Sequence, residues 1–302
     1  MFNIVITEKL WLLDSENKSG LFPKKMSTNT GMHRSAKEGN LEDVRMYLEN
    51  LRHDKNPGAK VEGTFKGSTP MHTAAAFGHL NVVQLIQTTT GVANPADAKG
   101  RTVLHTAAIS GQLEIIQELR KDLVNKNPAR ADGFTVLHTA AYYGQLKIVQ
   151  ELIKDLVNKN PARADGFTVL HSAAEKGHLR IVQELVKVLE NKNPVATGFH
   201  GRTPLHQAAQ NGHLEVTQFL CQNNPDITIV DSETGSNALH LAAYFGRNLE
   251  VVKFLADRIP IDIKSNNGKT ACDWAKSRGH QSIVKYLTNL KPRLPHWSNT
   301  TT

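Results

Sequence analysis

Histidine is the first residue type in this chain to suggest chemistry, because its ring ligates metals and exchanges protons near neutral pH. The chain contains 14 histidines among its 302 residues. Six of them close tetrapeptides of similar sequence: His72, His105, His138, His171, His206 and His240. Successive members lie 33 to 35 positions apart. This spacing indicates that each histidine belongs to its own structural unit.

Histidines one unit apart are too distant to share a metal ion. Packed helices lie about 10 Å apart, whereas zinc–nitrogen bonds are about 2.0–2.1 Å long. We therefore expect neutral framework rings, hydrogen bonded to neighbouring threonine hydroxyls and to loop backbone. The sequence predicts no metal site and no cofactor.

No nucleophile is paired with a base at a recognisable spacing. Cys221 falls at a core position of a helix, where a free cysteine behaves as a small apolar residue. Ser172 follows His171 within the repeated framework, and every glycine-rich stretch also belongs to that framework, so no phosphate-binding loop is present. We therefore predict that the chain is not an enzyme.

The element that positions these residues is a repeat. The eighteen residues 121–138 return unchanged at 154–171, which is 33 positions later, and a fixed period of this size indicates a solenoid. Seven tetrapeptides fix the register: 69–72, 102–105, 135–138, 168–171, 203–206, 237–240 and 270–273. A turn glycine precedes each tetrapeptide, and a second glycine follows after the paired alanines.

Each unit contains the signals of two short helices. Threonine at the start of the tetrapeptide is a good N-cap, proline suits the first helical position, and paired alanines allow helices to approach closely. A second amphipathic segment follows, as in QLKIVQEL at 145–152. In two units the usual glycine after the second helix is missing. We therefore predict second helices about one turn longer there, ending near Asn125 and Asn158.

The consensus of the units, G-x-T-P-L-H-x-A-A-x-x-G-H-L-x-x-V, resembles the ankyrin repeat closely over residues 32–287. The resemblance implies an all-α solenoid of helix-turn-helix units joined by short β-turn or hairpin loops. It also implies protein recognition by a scaffold or adaptor.

The repeat register divides the chain into five parts. We expect a poorly ordered leader at 1–28, with Met26 as an alternative start, and an N-terminal capping helix pair at 29–50. A connecting loop at 51–66 follows, then a seven-unit solenoid at 67–290 and a disordered tail at 291–302.

The resemblance implies a concave partner-binding face. It would be lined by the residues at the turn tips and by those between the paired alanines and the next glycine. In this chain they include aromatic and charged side chains: Phe77, Phe134, Tyr142, Tyr143, Phe167, Glu175, Lys176, Tyr244 and Phe245. Arg101, Lys99, Arg202 and Lys176 would form a basic rim. Phe134, Tyr142, Tyr143 and Phe167 come from two consecutive units, and exposed aromatic patches often mark interaction sites. The alternative is that these rings pack on the next unit.

Composition leaves two further functions open. The net charge of +8 favours acidic partners, so the chain could bind an acidic polymer or an anionic membrane surface. It could also be a regulatory subunit of a larger complex. No run of five or six like charges is present, which argues against a nucleic-acid arm. We expect a monomer with no transmembrane segment. Because the chain has only two cysteines, we expect a reducing compartment, the cytoplasm or the nucleus.

Overall fold

The computed structural model describes residues 28–53, 68–224 and 226–290. The predicted leader, except for its last residue, lies outside these residues together with the predicted tail. Most of the predicted connecting loop also lies outside them. Met26 is among the undescribed residues, so the alternative start is not addressed.

The described residues form sixteen α-helices, arranged as eight successive pairs. The first helices of the pairs are α1 (Thr28–Glu38), α3 (Pro70–Phe77), α5 (Val103–Ser110), α7 (Val136–Tyr142), α9 (Val169–Lys176), α11 (Pro204–Asn211), α13 (Ala238–Phe245) and α15 (Ala271–Ser277). The second helices are α2 (Leu41–His53), α4 (Leu80–Thr90), α6 (Leu113–Arg120), α8 (Leu146–Ile153), α10 (Leu179–Val188), α12 (Leu214–Asn223), α14 (Leu249–Ala256) and α16 (Gln281–Asn289).

The first and last residues of the tetrapeptide cap the first helices from α3 to α15. They are threonine and histidine in five of these helices, Asn237 and His240 at α13, and Thr270 and Asp273 at α15. At α7, Thr135 Oγ1 accepts a hydrogen bond from the His138 backbone N–H, at 3.3 Å. His138 Nδ1 in turn accepts from the Thr135 backbone N–H, also at 3.3 Å. This reciprocal capping box satisfies two donors that a helix N-terminus leaves unpaired. The predicted helix starts are therefore confirmed, and the histidine is part of the cap.

A tight turn precedes each first helix from α5 to α15. In the turn before α7, Gly133 has φ 80° and donates its backbone N–H to Arg130 O at 2.9 Å. Glycine adopts this left-handed conformation without steric cost. Isolated antiparallel bridges such as Ala129 to Thr135 are the only β pairing among the described residues. The prediction of an all-α repeat solenoid is confirmed.

Two parallel rows of helices create one continuous core. Each first helix packs on the first helix of the next unit, and each second helix does the same with the next second helix. Paired alanines such as Ala140 and Ala141 are fully buried in the first row. Leu137 and Leu152 fill the space between the rows. In the part of the chain that the structure describes, no helix combines the length and apolarity needed to cross a membrane.

The prediction of longer second helices after Arg120 and Ile153 is wrong. Helices α6 and α8 end at those residues. Beyond them, Leu123 and Leu156 turn back to pack partly buried against the core. The predicted capping residues Asn125 and Asn158 instead accept hydrogen bonds from backbone N–H groups two residues later, in local turns. Inward packing of the leucine therefore replaces the helical turn.

A buried arginine at the end of α6 offers a stability test. Arg120 is 5% exposed; it donates to Asp155 Oδ1 at 2.6 Å and to the Lys126 carbonyl at 3.2 Å. The next two units carry Ile153 and Val186 at the same register position. Replacing a buried ion pair by apolar residues is often neutral or stabilising, whereas removing one partner is costly. We expect Arg120→Ile to leave the free energy of unfolding unchanged or raise it by about 1 kcal/mol.

Asp155→Ala is expected to lower the free energy of unfolding by about 1–2 kcal/mol, because it leaves the Arg120 charge buried without its carboxylate. Urea unfolding followed by circular dichroism measures both variants. A larger loss for Arg120→Ile than for Asp155→Ala would show that the pair itself stabilises the stack.

Candidate functional site

The predicted site residues project from the turns and from the C-terminal ends of the first helices. Phe134 follows the turn glycine before α7, and Tyr142 ends that helix. Lys176 ends α9 one unit later. Because the capping box fixes where each first helix starts, it also fixes how far these side chains lie from the turns.

Four of these side chains form one cluster, which we call the aromatic patch: Phe134, Tyr142, Tyr143 and Lys176. The Tyr142 ring is edge-on to Phe134, with centroids 6.1 Å apart, and edge-on to Tyr143, at 5.2 Å. Lys176 Nζ lies 4.2 Å from the centroid of the Tyr142 ring. All four are half-buried, so the rings are accessible but held in place. The patch spans two units, but the residue that the second unit contributes is Lys176 and not Phe167, which the sequence analysis had grouped with the other three rings.

Neighbouring groups stabilise the charged form of Lys176. Its Nζ lies 3.0 Å from Glu175 Oε1. Burial acts to lower the pKa of Lys176, but hydrogen bonds to the Tyr142 hydroxyl and to Glu175 outweigh it, and the pKa is raised above its ordinary value. The patch therefore presents aromatic edges beside a permanent cation, with one carboxylate at its border.

Phe167 does not join the patch. It repeats the Phe134 position within an identical segment, yet it is only 3% exposed. The ring of Phe199 covers it edge-on, with centroids 5.3 Å apart, and the His171 ring lies beneath it at 5.0 Å. Phe167 is therefore a packing residue, in line with the alternative that a ring packs on the next unit.

The remaining predicted residues lie apart from the patch. Arg101 is held by its own turn, with Nε 2.7 Å from Asp97 Oδ2. Phe77 lies near the N-terminal end of the stack, where Lys37 Nζ is 5.7 Å from its ring centroid. The expected basic rim is thus not a continuous border of the patch.

A second aromatic cluster lies two units beyond Lys176. Tyr244 is edge-on to Phe245 at 5.1 Å and to Trp274 at 4.9 Å. The sequence prediction included Tyr244 and Phe245 but missed Trp274, which follows the capping Asp273 of the last tetrapeptide. It also missed Arg130, whose guanidinium lies 5.2 Å from the Phe134 ring centroid. The sequence places both residues relative to their turns. It does not predict that Arg130 contacts Phe134 across the turn or that Trp274 contacts Tyr244 in the preceding unit.

The tetrapeptide histidines serve the framework. His138 Nδ1 accepts from its own N-cap, and Nε2 donates to the carbonyl of Phe167 in the next unit, at 3.2 Å. Burial lowers the pKa of His138 to about 4, so the ring is neutral at pH 7.

Burial also raises the pKa of Cys221 to about 11, which disfavours the thiolate. Within the described ranges, no three His, Cys, Asp or Glu side chains are grouped so that they could hold a metal ion.

Comparison with known proteins agrees with this architecture. A family model described as "Ankyrin repeats (3 copies)" matches residues 32–129, 90–163, 117–194, 137–231 and 226–294. No curated protein matches the chain. Ankyrin repeats are generally protein-interaction modules, and their family is typically a non-enzymatic scaffold. The matches together span most of the sequence, and the chain belongs to the ankyrin-repeat family.

Proposed function

We propose that this protein is a scaffold or adaptor that binds a protein partner through the face formed by its turns and first helices, with the aromatic patch as the anchor. The observation that carries the proposal is the contact between Phe134, Tyr142 and Lys176 across two units. The repeat framework does not require aromatic residues there, since the preceding unit has Ile109 and Ser110 where this unit has Tyr142 and Tyr143.

The chemistry of the patch suits a protein interface. Tyrosine offers a large apolar surface with few rotatable bonds and a hydroxyl at its tip, and it is enriched among residues that dominate binding energy. Lys176 lies beside the Tyr142 ring with its charge offset by Glu175, so the patch adds one donor and one acceptor to the aromatic surface.

The test is a quantitative pull-down with three baits. Wild type is compared with Phe134→Ala/Tyr142→Ala and with Val124→Ala/Val157→Ala, a control that changes two fully exposed valines in the loops after α6 and α8. Residues that anchor an interface cost about 2 kcal/mol or more on truncation. We therefore expect the patch variant to lose at least about 30-fold in affinity for a protein that the wild type and control retain.

Two results would contradict the proposal. Retention of the same proteins by all three baits would show that the patch is packing. Retention of nucleic acid alone, released as the salt concentration rises, would favour the electrostatic alternative. Equal helicity of the three baits is checked first by circular dichroism, so that a loss of binding reports on the surface.

A further inference from the structure

A pocket opens on the same side of the stack, at its C-terminal end. Its volume is about 170 Å³. An apolar cavity of about 150 Å³ accommodates benzene. The apolar walls are Leu241, Tyr244, Phe245 and Trp274, and Arg202 and Thr234 lie at the polar side. The pocket therefore has the size and lining to take one aromatic side chain.

The walls are fixed by contacts that do not depend on a ligand. Trp274 Nε1 donates a hydrogen bond to Ser265 Oγ at 3.1 Å. The Tyr244 and Trp274 rings hold each other in an edge-on arrangement, with an interplanar angle of 79°. His280 of the next second helix contacts the Tyr244 carbonyl at 2.9 Å. The pocket is thus largely preformed, which is how small binding sites usually occur.

The charges around the pocket determine which residues can flank an aromatic side chain bound in it. Arg278 lies 4.8 Å from the Tyr244 ring centroid, and Lys269 Nζ lies 5.9 Å from that of Trp274. Both side chains are exposed, and neither forms an ion pair with a carboxylate of the described residues. The buried Asp231 lies 3.8 Å from Arg202 and offsets its charge. Among the charged groups that contact the pocket walls, those without a carboxylate partner are therefore positive.

Three aromatic walls also resemble the kind of cage that holds a methylated ammonium group. In this pocket, however, cations already lie over the rings of Tyr244 and Trp274. A second cation would meet repulsion at close range, whereas a neutral ring flanked by carboxylates would meet attraction. The observed charges favour the acidic ligand.

We propose that this pocket binds an aromatic side chain of an acidic peptide segment in the protein partner. The inference rests on the proposed function, because it assigns a partner class to the same face of the stack. It adds a second anchor point, separated from the aromatic patch, and a preference for glutamate or aspartate on either side of the aromatic residue.

The experiment uses the full chain carrying Trp11→Phe and Trp297→Phe, which leaves Trp274 as the only tryptophan. Its fluorescence and its indole N–H resonance are followed during titration with the peptide acetyl-EEFEE-amide. We expect binding at least tenfold tighter than that of acetyl-EEAEE-amide, acetyl-KKFKK-amide or a peptide with a central trimethyllysine. Equal or tighter binding of any of these three, or no response to acetyl-EEFEE-amide, would overturn the proposal.

Matched variants test the role of the rim. Lys269→Glu/Arg278→Glu is expected to weaken acetyl-EEFEE-amide binding at least tenfold. Lys147→Glu/Lys192→Glu changes the net charge equally at exposed positions outside the pocket and should stay within twofold of wild type. Equal weakening by both variants would mean that only overall charge attracts the peptide. Because these titrations involve the pocket alone, their failure would leave the pull-down result at the aromatic patch intact.

Discussion

Lowering the pH from 7 to 5 is expected to unfold the stack before its carboxylates are protonated. Burial lowers the pKa of five ring systems to about 4: His33, His105, His138, His171 and His206. In the unfolded chain these rings have a pKa near 6.5. The folded state therefore excludes protons that the unfolded state binds.

The loss of stability at low pH follows from the linkage between protonation and folding. A depressed histidine pKa contributes stability that is fully present above about pH 6.5 and is lost as the pH falls towards 4. At pH 5 the loss is about 2 kcal/mol for each ring, and on the order of 10 kcal/mol for all five. A folded domain has a net stability of only about 5–15 kcal/mol. We therefore expect the midpoint of acid unfolding to fall near pH 5.

The geometry explains why protonation is so unfavourable. His138 Nδ1 accepts a hydrogen bond from the Thr135 N–H, and Thr135 Oγ1 is 2.9 Å from the same nitrogen. A proton on Nδ1 would face the backbone donor. The cap of α7 would then be lost, whereas Nε2 would keep its hydrogen bond to the carbonyl of Phe167.

Urea unfolding at pH values from 8 to 4.5 measures the effect. His138→Gln keeps a neutral donor at this position but removes one titrating ring, so the slope of stability against pH should fall by about one proton. Comparing slopes separates this change from the constant cost of an altered hydrogen bond. Asp97 and Asp132, whose pKa values are lowered, lose their contribution only at pH values below the histidine range. Stability that stays flat to pH 5 and then drops below 4 would assign the transition to these carboxylates.

Much of the fold could be read from the sequence because each unit carries local signals. The left-handed turn at Gly133, the cap at Thr135 and the paired alanines each act within a few residues. Their repetition at 33 positions then predicts the stacking. The end of α6 could not be read in this way, since it depends on Leu123 packing inward. The lack of a stop glycine suggested a longer helix that tertiary contacts override.

The candidate site was only partly predictable for the same reason. The approach of Tyr142 and Lys176 follows from the repeat register, because both end first helices in adjacent units. The burial of Phe167 depends on a difference further along the chain. The turn glycines Gly166 and Gly201 are 35 positions apart instead of 33, and the longer loop returns to donate from Gly198 N–H to Asp165 O at 2.9 Å. This contact accompanies the placement of Phe199 over Phe167.

Phe167→Ala is therefore expected to destabilise the stack far more than Phe134→Ala, although the two residues lie in identical eighteen-residue segments. Truncating a fully buried phenylalanine costs about 3–5 kcal/mol. Phe134 is half-buried, so we expect a loss of about 1 kcal/mol there. Because local sequence and turn geometry are the same, the difference reports the neighbours outside the segment, which are Phe199 over Phe167 and Tyr142 beside Phe134. Urea unfolding at pH 8, where the histidines are neutral in both states, measures each variant.

The cover on Phe167 can be removed independently. Phe199→Ala should lower stability by itself and should reduce the further cost of Phe167→Ala by about 0.5–1.5 kcal/mol, the coupling typical of an edge-on aromatic pair. Equal costs for Phe134→Ala and Phe167→Ala would show that the Phe199 ring does not cover its neighbour. The expected asymmetry also has a consequence for function. A stack that remains folded after Phe134→Ala allows lost binding to be assigned to the aromatic patch, whereas the same loss after Phe167→Ala would report unfolding.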